Sequence, residues 1–155
     1  MAEHLTKLSK ILAWAAAATF AASWFLPVLD DVPGWMAFRY ALAPLVPFRD
    51  AGVMTWDESA PQVMSSLTNV VFVILFGLWV SNQAVRPGLF VRIAIACFLM
   101  NLYWLVSAWR EHGLDDLLIG YYVWLAAFAL LLATASLIAC ANRQTSKTPT
   151  DDRPS

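Results

Sequence analysis

Residues 117–142 read LLIGYYVWLAAFALLLATASLIACAN and contain no Asp, Glu, Lys or Arg. An α-helix rises 1.5 Å per residue, so ~20 apolar residues cross the ~30 Å hydrocarbon core of a bilayer. The stretch therefore predicts a membrane-spanning helix. Working outward, three more stretches lack charge: 93–109, 59–85 and 11–29. All ten basic and eleven acidic residues fall between these runs or in the tails. The composition points the same way. The chain has 155 residues, 60% hydrophobic and 14% charged, against about 25% charged in soluble domains.

The expected fold is an all-α membrane protein, an antiparallel bundle of four transmembrane helices. The spans are placed at about 9–29, 63–82, 89–109 and 117–141 within a domain of residues 1–142, and 143–155 is expected to be a disordered cytoplasmic tail. The third uncharged run is short. It becomes long enough when Leu89, Phe90 and Val91 join it and Arg92 snorkels to the headgroups. The first run has features of a secretory signal, with Lys7 and Lys10 before it and Ala21-Ala22-Ser23 as small residues. Its apolar character continues through Trp24-Phe25-Leu26, past any such cleavage point, so a retained span is expected.

The gaps sort by charge. Lys7, Lys10, Arg86, Arg92, Arg143, Lys147 and Arg153 fall on one side of the proposed membrane. Arg39, Arg49 and Arg110 fall on the other, with most of the acids. Basic residues near span ends are retained in the cytoplasm. Both termini are thus expected in the cytoplasm of a bacterial inner membrane, with 30–62 and 110–116 outside. Trp24, Trp104, Trp109, Tyr121, Tyr122 and Trp124 cluster at the outer ends, as expected for residues that favour the headgroup level. Pro87-Gly88 signals a tight turn between the second and third spans.

The one long connection is 30–62. Trp35, Met36, Phe38, Tyr40 and Leu42 around Arg39 predict an interfacial helix, N-capped by Asp30 or Asp31 with Pro33 in its first turn and ended by Pro44 and Pro47. Trp56 then lies among Asp50, Asp57 and Glu58, and Pro61 opens the second span. This segment either shields the top of the bundle or docks a partner or substrate. Trp35, Phe38, Arg39, Trp56, Asp57, Arg110, Asp115 and Asp116 are the surface candidates.

Chemistry inside the spans is sparse. No span contains His, which argues against a two-histidine haem site. Cys97 and Cys140 stand alone in apolar sequence and read as packing residues. No ionisable residue lies at mid-depth to carry a coupling proton or ion. Asn101 is the strongly polar side chain near a span centre, expected to bond a neighbouring helix or, alternatively, to line a ligand path. Asn69, with Ser65, Ser66 and Thr68, lines a vestibule or solvates a helix end. Ala13, Ala17 and Ala21 in the first span, and Gly120, Ala127, Ala129 and Ala133 in the fourth, are small residues that let helices approach closely. His112, beside Glu111, Asp115 and Asp116, is a weak candidate base or metal ligand, and a solvated turn is the plainer reading. No metal, cofactor or nucleic acid is expected.

Two strings carry a resemblance. Phe25-Leu26-Pro27 leaves the first span ahead of Gly34-Trp35-Met36-Ala37-Phe38, and Gly120-Tyr121-Tyr122-Val123-Trp124-Leu125 opens the fourth. Together they resemble the pattern of small, uncharacterised four-span bacterial inner-membrane proteins. The resemblance carries over no activity, but it implies that the outer loop and the top of the fourth span meet. The layout is also similar to that of colicin immunity proteins, without a motif that identifies one. The expected function is non-catalytic. The chain would bind a partner at the outer face, as accessory subunit, assembly factor or immunity-type protein. That partner is another membrane protein or a second copy of this chain. A passive or lipid-like small-molecule carrier through the Asn69 and Asn101 region is one alternative. An enzyme acting at the outer surface is the other.

Overall fold

The computed structural model describes residues 2–29, 32–45, 56–81, 86–111 and 117–145. Helices dominate: α1 (Ala2–Ser23), α2 (Gly34–Ala41), α3 (Trp56–Val80), α4 (Pro87–Glu111) and α5 (Ile119–Thr145). Between α1 and α2 lie two short antiparallel strands, β1 (Pro27–Leu29) and β2 (Val32–Pro33), with Pro27 opposite Pro33. Among the described residues, three helices are long and apolar enough to cross a membrane: Ala60–Val80, Pro87–Ser107 and Ile119–Gln144. The chain is a multi-pass α-helical membrane protein. The helix α1, with Lys7 and Lys10 in its first half, is not among the three.

The first helix stops earlier than the apolar run suggests. The expected span ran to residue 29, but the helix ends at Ser23, whose hydroxyl donates back to Phe20 O at 2.7 Å. The cause is Pro27, whose ring disfavours helical geometry at Leu26 and whose nitrogen cannot donate. The chain turns through 24–26 and enters β1. A helix, α2, forms where an interfacial one was expected but is capped differently. Its N-cap is Pro33, without a side-chain cap bond, rather than Asp30 or Asp31. The helix α3 begins at Trp56, well before Pro61, which sits inside it.

The closest helix pairing is α1 with α5, followed by α4 with α5. Small side chains permit it: Ala13 and Ala16 on α1, and Ala127 and Ala135 on α5, are buried. The helix α3 reaches α1 through rings instead. Phe20 stacks on Phe72 with centroids 4.2 Å apart, and Phe128 meets Phe72 edge-on at 5.3 Å. Trp14, Phe76 and Trp79 form a second ring cluster towards the start of α1 and the end of α3.

The end of α1, the strand pair, α2 and the start of α5 are laced together by the backbone. Trp35 N–H donates to Trp24 O at 3.0 Å, Gly34 N–H to Leu26 O at 3.1 Å, and Leu118 N–H to Val28 O at 3.0 Å. Gly120 is required at this junction. A Cβ there would lie 2.5 Å from Pro27 O and 2.8 Å from Leu26 O. The two strings that carry the family resemblance therefore touch.

Candidate functional site

Just below that junction, three helices bring their polar side chains together. On α3, Ser65, Thr68 and Asn69 share a face that continues as Phe72 and Leu75, so one stripe changes from polar to apolar along the helix. All three are buried, as is Ser66, so these residues do not solvate a helix end. Their partners lie on α4 and α5. Ser65 Oγ donates to Asn101 Oδ1 at 3.0 Å, with Thr68 Oγ1 3.1 Å from the same oxygen. Thr68 Oγ1 also lies against Ser65 O. Trp124 Nε1 donates to Asn69 Oδ1 at 2.7 Å, and Tyr121 Oη donates to Asn101 O at 2.6 Å.

Asn101 is 0% exposed and stands at the centre of this layer. Its side chain holds α3 and its backbone carbonyl holds α5. A side chain that bonds a helix carbonyl shares an acceptor otherwise given to the amide four residues on. The floor of the layer is the Phe20, Phe72 and Phe128 cluster, with Trp124 edge-on to Phe128 at 5.5 Å. The arrangement can hold neutral hydrogen-bonding groups, and no ionisable side chain other than the Tyr121 phenol takes part in these bonds.

The sequence singled out Asn69 and Asn101, one near a span end and one near a span centre, and the structure places them in one layer. The sequence reading missed Tyr121 and Trp124, which it assigned to a headgroup belt. Tyr121 is only 3% exposed. A signal was available, because Tyr121, Trp124, Phe128, Leu131 and Ala135 recur at helical spacing and mark a single face of α5.

The surface candidates do not converge. Trp35 is 43% exposed, and Phe38 packs on Trp24 with ring centroids 5.2 Å apart. Arg39 is exposed in the last turn of α2, and Arg110 is exposed in the last turn of α4. Trp56 and Asp57 open α3. His112, Asp115 and Asp116 lie outside the described residues. Of the two cysteines, Cys97 is buried in the core but Cys140 is exposed, which corrects its reading as a packing residue. No family model, curated protein or solved structure matches this chain.

Proposed function

We propose that this chain is a non-catalytic bacterial inner-membrane protein of four antiparallel spans, with both termini cytoplasmic, that acts by binding a partner at its outer face. The fourth span in this reading is α1. Its 22 residues reach ~33 Å as a helix. It lies along α5 and exposes Leu8, Ile11 and Trp14 as a lipid-facing surface would.

The observation that carries the partner-binding reading is the division of labour between interior and cap. The Ser65, Thr68, Asn69, Asn101, Tyr121 and Trp124 side chains inside the helices bond within the protein, above a floor of packed rings, with only the Asn101 amide nitrogen left over among the described residues. The cap instead displays apolar and aromatic side chains outward: Phe25 at 80% exposure, Trp35 at 43% and Tyr40 at 46%. A carrier through the Asn101 region requires an open path to that side chain, and its complete burial favours the binding reading over the carrier.

Photo-crosslinking from positions 35 and 40 in native membranes tests this. A single membrane-protein adduct is expected at those positions, and a lipid-facing control at Val73 is expected to give none. Adducts that are equal at all three positions, or the protein recovered alone, would overturn the reading.

A further inference from the structure

The polar layer has one loose end. Among the described residues, nothing accepts a hydrogen bond from Asn101 Nδ2, although the side chain is fully buried. Proton counting sharpens the point. The Thr68 hydroxyl carries one proton, and Ser65 O is its closer acceptor. With the proton committed there, Thr68 Oγ1 turns a lone pair towards Asn101. A carbonyl oxygen facing that lone pair at 3.1 Å is repelled. Rotating the amide by half a turn puts its nitrogen against both Ser65 Oγ and Thr68 Oγ1, where both N–H groups find acceptors. The orphaned atom is then Oδ1. With Nδ2 there, the end of the amide turned away from the α3 hydroxyls has no protein partner among the described residues, and rotation leaves that end in the same surroundings.

We propose that this end of the Asn101 amide binds one resident water molecule, with the Tyr121 oxygen as its second partner. Water both donates and accepts, so it satisfies the amide in either setting. Asn101 is 0% exposed, so its amide is closed off from the outside, which suits a ligand of one heavy atom rather than an amphiphile. The Tyr121 oxygen is held on the Asn101 carbonyl and also faces the Leu105 N–H, which leaves one lone pair for a further donor. An unsatisfied polar group within a bilayer is costly, and buried waters characteristically occupy such positions with two to four partners.

The test is NMR on the full chain in lipid nanodiscs, labelled with ¹⁵N-asparagine and with the Asn101 amide assigned by triple resonance. The Asn101 amide protons should show a cross-peak to the water line that stays constant as pH is changed, because relay through exchanging hydroxyls is pH-dependent. The peak should fall severalfold in Tyr121→Phe. No water cross-peak, a pH-dependent one, or an unchanged one in Tyr121→Phe contradicts the proposal. A cross-peak to lipid protons would place an amphiphile at the site and also overturn it.

Discussion

Replacing Gly120 with Ala should destabilise the protein by about 2 kcal/mol, the middle of the range for overpacking a close contact. The new methyl carbon would sit 2.5 Å from Pro27 O and 2.8 Å from Leu26 O. Both obstacles are backbone atoms, so no rotamer change relieves them. Either β1 moves off α5, stretching the 3.0 Å bond from Leu118 N–H to Val28 O, or α5 moves off α1 and loosens the closest helix pair. Gly77 on α3 provides the control, because a Cβ there meets nothing within 4 Å. Gly77→Ala removes only the helix penalty of glycine and should be neutral or stabilising by up to ~1 kcal/mol. At roughly 2–4 °C per kcal/mol for a chain of this size, Gly120→Ala should melt about 4–8 °C below the parent and Gly77→Ala level with it or up to ~4 °C above. Thermal unfolding in a fixed mild detergent, followed by near-ultraviolet circular dichroism, reads this directly. A Gly120→Ala protein that melts with the parent would refute the packing of β1 against α5.

Further outcomes follow from the same contacts. Phe128→Ala removes a fully buried ring that touches Phe20, Phe72 and Trp124, and should cost about 3 kcal/mol or more in the same melts. Trp124→Phe keeps the ring packing but loses the bond to Asn69 Oδ1, and should cost only about 0.6 kcal/mol, the average for such bonds in membranes. In a double-mutant cycle, Ser65→Ala and Asn101→Leu should couple with a non-zero energy, because each removes the same 3.0 Å bond, whereas Ser136→Ala and Asn101→Leu should add. Trp35→Ala should leave the melting temperature near the parent, because the side chain is 43% exposed, and under the proposed partner-binding role it should abolish the adduct formed from position 40.

The three long apolar helices were legible because their signal is a simple absence, runs of residues without charge that few other structures require. The end of α1 was not legible in that signal. Trp24-Phe25-Leu26-Pro27-Val28-Leu29 is as apolar as a helix in lipid, and only the geometry of Pro27 turns it into a strand. That Asn69 and Asn101 are the polar side chains to watch was readable from their apolar surroundings, but their partners depend on which faces of α3, α4 and α5 meet. Tyr121 and Trp124 were misread because an aromatic residue near a span end has two stable environments, the headgroups or the interior. The spacing to Phe128 and Leu131 decides between them. The cap helix was readable from its aromatic cluster around Arg39. Its N-cap at Pro33 was not, because two acidic residues just upstream are the commoner solution.

The central claim is that α1 crosses the membrane as a fourth span, placing the cap on the opposite side from both ends of the described chain. Single cysteines at Glu3, Trp35 and Gln144, in a background with Cys97 and Cys140 replaced by alanine, test it with an impermeant thiol reagent on intact cells. The account predicts that Trp35→Cys labels in intact cells and that Glu3→Cys and Gln144→Cys label only after lysis. Labelling of Glu3→Cys and Trp35→Cys from the same side would contradict it.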